Sequence, residues 1–292
     1  MIELFLYISY YISLSWCNMT EPLPMYPNVL ESSSTRIVGG KPCDKEYLFM
    51  VSLRPPEKPN LHKCCGTLIN PEWVLTAAHC STPNAIAVLG IRGNRLNNIT
   101  LTKNNENMTV MFVDYTVVHP DYDQYTHMND IALCKLSNAT NSLHVVKLPA
   151  KDYGMSVRFC DYGLAMGWGY IEEDKPVAPS LLQCVYMRVL KYVDCQIRIS
   201  KNVICTFTRN KDTCFGDSGG PLLCGEVQFG ILSWGKGCGG KHLSVYTRVD
   251  KYLKFIKKYA KTYTSDGHIR IDNLCDNLLT FWFYIIFVLL TL

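Results

Sequence analysis

Fourteen cysteines, from Cys17 to Cys275, are too many for a chain that folds in a reducing cytosol. Disulfides and a secretory route are therefore expected. With 292 residues, 48% hydrophobic and 18% charged, the chain can build a real core as one large all-β unit or two small domains. The net charge of +4 is modest, and no basic stripe with interleaved aromatics occurs. No nucleic-acid partner is expected.

Between Arg36 and about Val249 the pattern is that of strands. EWVLTAAH, TVVHP, IALCKL and EVQFGILSW are short runs separated by Gly, Pro and Asn turn signals. Many short strands with frequent turns argue for a β-barrel or sandwich. One helix is signalled, DKYLKFIKKYAKTY from Asp250. Leu253, Ile256 and Ala260 recur at helical spacing, while Lys251, Lys254, Lys257, Lys258 and Lys261 take the opposite face. A basic amphipathic helix can lie on a membrane, but a helix closing the end of a globular domain is the expectation here.

Both ends fit export. Residues 1–17 carry an apolar run from Leu4 to Leu14 followed by small residues, as in a signal peptide cut after Ser15 or Cys17, although the positive start is missing. Residues 265–292 combine the small triplet Ser265-Asp266-Gly267, a polar spacer and the uncharged LLTFWFYIIFVLLTL. That order is expected of a glycolipid (GPI-type) anchor signal. A short single-pass tail and a buried element are the alternatives. The sequons at Asn18, Asn98, Asn107 and Asn138 are expected glycosylation sites. Two of them fall in NNITLTKNNENMT, which reads as an exposed loop with short strands.

The chemistry gathers around one serine. KDTCFGDSGGPLLC places Ser218 among glycines, with Asp217 beside it and Asp212 six positions earlier. A serine hydroxyl needs a base within hydrogen-bond reach, and the base needs an acid to fix its tautomer. His79 in LTAAHC is the candidate base and Asp130 in HMNDIALCKL the candidate acid. TRIVGG, TAAHC, NDIALCKL, GDSGGP and SWGKGCG stand in the order and rough spacing of the trypsin-like (chymotrypsin-family) serine proteases, which the chain resembles from residue 37 to about 260.

The resemblance implies two six-stranded antiparallel β-barrels with a C-terminal helix, over a protease domain at 37–264 behind a propeptide at 18–36. It implies that Ser218 is the nucleophile, His79 the general base and then acid, and Asp130 the partner of the imidazole. The amides of Gly216 and Ser218 would form the oxyanion hole. Cleavage of Arg36–Ile37 would free an amine to pair with Asp217, so the chain as written is a zymogen that needs an activating protease. Asp212 would sit at the floor of the primary pocket and receive Arg or Lys. Thr213, Ser233, Gly235, Gly237 and Ser244 would line the rest. The implied partners are proteins or peptides bearing Arg or Lys, protein protease inhibitors, and the membrane through the C-terminal anchor. No cofactor or metal is expected. The implied disulfides are Cys43–Cys184, Cys64–Cys80, Cys160–Cys224, Cys195–Cys205 and Cys214–Cys238.

The chain departs from the family at several positions. Ser244 stands where glycine is usual and narrows the pocket near Asp212. Cys65 also replaces a glycine, Phe215 replaces a polar residue at the pocket rim, and the Cys195–Cys205 segment is short. Ile91-Arg92 lack the acidic ligand of a calcium site, so no structural calcium is expected there. Cys65 and Cys134 read either as two buried thiols or as a sixth bridge. The reading is a secreted or cell-surface endopeptidase cutting after Arg or Lys through an acyl-enzyme. A non-catalytic binding or adhesion module on the same scaffold, or a protease of different primary specificity, are the alternatives.

Overall fold

Strands dominate because apolar and β-branched runs of four to ten residues are cut by turn residues before a helix can propagate. The computed structural model describes residues 39–96, 108–141, 144–150, 160–170, 179–190, 195, 200–238 and 242–260. All lie in the compact unit Ser34–Asp266. The expected signal peptide, propeptide and anchor signal lie outside the described residues, as do Arg36, Ile37, Asn18, Asn98 and Asn107. Among the described residues no helix is long and apolar enough to cross a membrane.

Six strands close a barrel in the first half: β2 (Met50–Arg54), β3 (Cys64–Asn70), β4 (Trp73–Thr76), β5 (Ile86–Leu89), β6 (Thr109–Val118) and β7 (Ala132–Leu136). Their order round the barrel is β2-β3-β4-β7-β6-β5, and every pairing is antiparallel. The second half supplies β8 (Tyr162–Gly167), β9 (Gln183–Arg188), β10 (Val203–Thr206), β11 (Pro221–Cys224), β12 (Val227–Gly235) and β13 (Ser244–Arg248). These six also pair antiparallel, in the order β9-β8-β11-β12-β13-β10. A seventh member, the two-residue β1 (Lys41–Pro42), adds to the edge at β9, next to the Cys43–Cys184 disulfide. The fold is the all-β, two-sheet antiparallel architecture expected, with that short edge strand in addition.

Every residue of β2, β3 and β4 is buried, so these strands show no alternation of apolar and polar faces. One face fills the barrel and the other is covered by neighbouring segments. Across the two sheets, Thr67 of β3 donates to the Gln228 side chain of β12 at 2.7 Å, both residues fully buried. Pairing removes the cost of burying two polar groups and sets how the halves meet.

The expected terminal helix begins differently. Val249–Tyr252 form a 3-10 turn, and α1 follows at Leu253–Tyr259. Asp250 is held by Arg248 through two hydrogen bonds of 2.9 and 2.7 Å. Tyr252, Leu253, Phe255, Ile256 and Ala260 are buried while Lys251, Lys254, Lys257 and Lys258 face solvent. This helix closes the domain.

Candidate active site

Strand pairing brings the central residues together. Thr76, the last residue of β4, pairs with Ala132, the first of β7. The segment leaving β4 therefore meets the segment entering β7. A 3-10 turn, Ala78–Cys80, carries His79 just beyond β4, and Asp130 sits two residues before β7. Asp130 Oδ1 accepts the His79 backbone N–H at 3.0 Å, and Oδ2 lies 2.8 Å from His79 Nδ1. A carboxylate only accepts, so Nδ1 carries the hydrogen and Nε2 keeps its lone pair. Ser233 Oγ is a third donor to the carboxylate, reaching Oδ2 at 2.5 Å. Burial would raise the pKa of Asp130, but the imidazole, the Ser233 hydroxyl and the His79 amide outweigh it and hold the carboxyl below its usual range.

Ser218 is brought to the same place by its backbone. Its carbonyl accepts the Cys65 amide of β3 at 2.8 Å, and the next amide, Gly219, donates to Leu232 of β12 at 2.8 Å. Gly219 has a φ of +78°, and a Cβ there would overlap Thr76 Oγ1 and the Cys65 carbonyl. Only glycine lets the loop lie this close to the segment that leads into His79. The Cys64–Cys80 disulfide ties the same segment to β3 from the other side. Among the described residues the Ser218 hydroxyl has no hydrogen-bond partner, so its bond to His79 Nε2 is not formed. The amides of Gly216 and Ser218 are likewise not spent on internal hydrogen bonds among the described residues.

Asp217 turns inward and is 1% exposed. Its oxygens accept the amides of Gly169 at 2.7 Å and Cys214 at 2.9 Å. A Cβ at Gly169 would collide with this carboxylate, so glycine is required there too. Burial pushes the Asp217 pKa up to about 7 despite the two amides. Among the described residues no cation pairs with it.

Asp212 is 3% exposed. Its Oδ1 accepts the Thr213 amide at 2.9 Å and the Ser244 hydroxyl at 2.6 Å, and Thr213 Oγ1 reaches Ser244 Oγ at 3.3 Å. Gly235, at the end of β12, pairs with Ser244 across the ladder, while Gly237 turns at a φ of +77°. The Cys214–Cys238 disulfide joins the two segments. These contacts fix one buried carboxylate, and the strand end that pairs with Ser244 carries a residue without a side chain, Gly235.

The trypsin family profile matches residues 37–256, which include all of these groups. The chain belongs to the trypsin family. It is 35% identical to "Cationic trypsin-3" of Rattus norvegicus over 78% of this chain and 91% of that protein. It is 34% identical to "Serine protease 1" of Homo sapiens, over 76% of this chain and 88% of the relative. "Trypsin" of Sus scrofa is 36% identical, over 76% of this chain and 95% of the relative. It is a trypsin-like serine endopeptidase.

Within this trypsin-family chain the five implied disulfides are all present, including Cys160–Cys224 and Cys195–Cys205. Their number fits the extracellular space. The two readings of Cys65 and Cys134 separate: both are free and buried. Asn138 lies exposed in the turn after β7. Phe215 is 58% exposed.

Four residues at the site carry contacts that sequence reasoning did not assign. Arg54 Nε donates to Ser52 Oγ at 3.1 Å, Ser52 Oγ lies 2.8 Å from His62 Nδ1, and His62 Nε2 lies 2.9 Å from the Gly216 carbonyl. A carbonyl only accepts, so Nε2 bears the hydrogen and Nδ1 accepts from Ser52. Burial brings the His62 pKa down to about 4, against the Gly216 bond and with help from the Arg54 charge, so the ring is neutral at pH 7. Cys65 Sγ also donates to the Gly216 carbonyl, at 3.5 Å. The Gly216 carbonyl is thus held by an imidazole and a thiol. His62 in NLHKCC has no local signal beyond lying near Cys64, because its partner is 154 positions away.

Proposed function

We propose that the chain is a zymogen whose cut form hydrolyses peptide bonds after Lys or Arg. The observation that carries this reading is the orientation of His79. Two hydrogen bonds to the buried Asp130 fix the ring and leave Nε2 as its proton acceptor.

Ser218 Oγ attacks the scissile carbonyl carbon as its proton passes to His79 Nε2. Asp130, kept ionised by its donors, stabilises the imidazolium. The carbonyl oxygen becomes an oxyanion facing the unspent amides of Gly216 and Ser218, each donor worth about 3 kcal/mol. His79 then gives its proton to the leaving amine, and the amine departs. Water repeats the sequence on the acyl-enzyme, regenerating Ser218. Asp212 holds the basic side chain, with Thr213, Ser233, Gly235, Gly237 and Ser244 around it.

Activation rests on Asp217. A carboxyl buried with only two amides is poorly stabilised as an anion, and an amine freed at Ile37 by cleavage after Arg36 would supply the missing charge. Protein substrates, protein inhibitors and an activating protease are the partners this implies. Export follows from residues 1–17, and the 265–292 segment anchors the product to the cell surface through a glycolipid. Phospholipase treatment of intact cells should release the protein, and retention would favour a spanning tail.

The decisive experiment cuts recombinant precursor at Arg36–Ile37 and offers Lys and Arg ester substrates. Turnover is expected only after the cut and is lost in Ser218→Ala. No turnover by correctly cut protein, together with no labelling of Ser218 by an organophosphonate, would leave a non-catalytic binding module as the reading.

A further inference from the structure

His127 has no part in the acyl transfer, yet it points at the centre of that chemistry. Its Nδ1 is buried with no hydrogen-bond partner among the described residues. It lies 4.0 Å from Asp130 Oδ2, and its ring meets that of His79 edge-on at 5.8 Å between centroids. A buried nitrogen without a partner costs stability, so the position calls for a reason.

The turn that presents His127 is firmly built. Asp123 Oδ1 accepts the Tyr125 amide at 2.8 Å, and the Asp123 amide donates to Met128 at 3.1 Å. Asn129 binds the Asp121 carbonyl at 2.7 Å and accepts Tyr252 OH at 2.8 Å. His127 itself adopts a φ of +53°, left-handed and unfavourable for a residue with a side chain. The structure accepts this conformation and aims the ring inward.

We propose that His127, His79 and Asp130 form a binding site for a divalent transition metal, zinc by its donor set, and that occupation of this site switches the protease off. One ligand atom from each of His79, His127 and Asp130 lies within 4.8 Å of the other two, and Nδ1 of both rings faces Asp130 Oδ2, at 2.8 and 4.0 Å. Two imidazoles and a carboxylate suit zinc, nickel or copper and not calcium or magnesium, which prefer oxygen. Tetrahedral zinc with bonds of about 2.0–2.2 Å sets its ligands roughly 3.3 Å apart. The 2.8 Å pair of His79 and Asp130 would open and the 4.0 Å pair of His127 and Asp130 would close, each by less than about 1 Å.

The metal takes the place of the hydrogen that His79 Nδ1 shares with Asp130, and that proton moves to Nε2, so the ring binds as a neutral imidazole whose Nε2 can no longer accept the proton of Ser218. Ser233 keeps its bond to the same carboxylate. Both side chains are partly exposed, 25% for His79 and 36% for His127, so a shift of these rings opens the buried donor atoms to an ion. A neighbouring group, Cys64, His79 and Cys80, offers no thiolate because its cysteines are joined.

Inhibition rests on the reading of His79 as the base, so binding is measured separately from activity. Zinc chloride is titrated calorimetrically into full-length Ser218→Ala protein cut at Arg36–Ile37 by an added protease. One ion per chain is expected, with affinity falling at least about tenfold when His127→Ala or His127→Gln is added. In parallel, zinc should inhibit the wild-type cut enzyme reversibly, with activity restored by a chelator and no inhibition by magnesium. The same variants should need at least about tenfold more zinc, each measured against its own zinc-free rate. No binding to the Ser218→Ala protein, or equal binding with and without His127, would overturn the site. Binding that depends on His127 but leaves turnover untouched would overturn the switch. Absence of turnover in zinc-free wild-type enzyme would count against the catalytic reading and leave the binding result standing.

Discussion

Ser244 places its hydroxyl 2.6 Å from Asp212 Oδ1, and both residues are buried. The oxygen that a guanidinium would grip already accepts this hydroxyl and the Thr213 amide. A bidentate arginine must displace one of them, whereas a lysine ammonium can be served by a single oxygen. Ser244→Gly is therefore expected to raise kcat/KM for Arg over Lys substrates by roughly tenfold. Paired substrates differing only in that residue measure it, and an unchanged ratio would remove Ser244 as a determinant.

Asp217 is expected to make the uncut chain sensitive to pH. Its pKa in the folded chain is about 7 against an ordinary 3.8, so the folded state holds the proton more tightly than the unfolded one. The stability this contributes is complete below the ordinary value and is lost as pH rises toward and through about 7. Uncut protein carrying Arg36→Gln should show a melting temperature advantage over its Asp217→Asn variant that shrinks across this window. After cutting at Arg36–Ile37 the trend is expected to reverse, because an amine partner favours the carboxylate. Melting curves of cut and uncut Ser218→Ala protein from acid to neutral pH test both halves.

His62 acts through Gly216. With a neutral ring bonded to that carbonyl, it holds the Gly216–Asp217 peptide group, which adjoins the Gly216 amide proposed to face the oxyanion. His62→Ala should lower kcat by about ten- to a hundredfold with a smaller effect on KM, since one oxyanion donor is worth about 3 kcal/mol. A loss confined to KM would mean that the residue shapes substrate binding instead.

Cys65 and Cys134 should resist thiol reagents. They are 0% and 2% exposed, and burial raises the Cys134 pKa to about 11 and that of Cys65 well above its usual value. Thiolate is the reactive form. Mass spectrometry after iodoacetamide treatment should find both unlabelled in native protein and both labelled once it is denatured. Native labelling at Cys65 would show that the core behind Gly216 opens.

The strand runs and the five motif segments were readable because each depends on near neighbours. EWVLTAAH is apolar enough to pair, and glycines around Ser218 are demanded by close approach wherever that loop packs. The 3-10 start of the terminal helix was not readable, since it coincides with an Arg248–Asp250 pairing that competes with helical propensity. The chain from Arg54 through Ser52 and His62 to Gly216 was equally hidden. Its links cross a hairpin and then the boundary between two sheets, and no local pattern marks such contacts.

The order of residues thus contains the reactive groups, the cysteines and the strand-forming segments, because covalent chemistry and short-range sterics are properties of the chain. Folding settles where those groups point. Asp130 and His79 meet because β4 pairs with β7, Ser244 turns onto Asp212, and His127 comes to lie beside both His79 and Asp130. Each of these is a contact over many positions, set by burial and by the satisfaction of polar atoms in a packed interior.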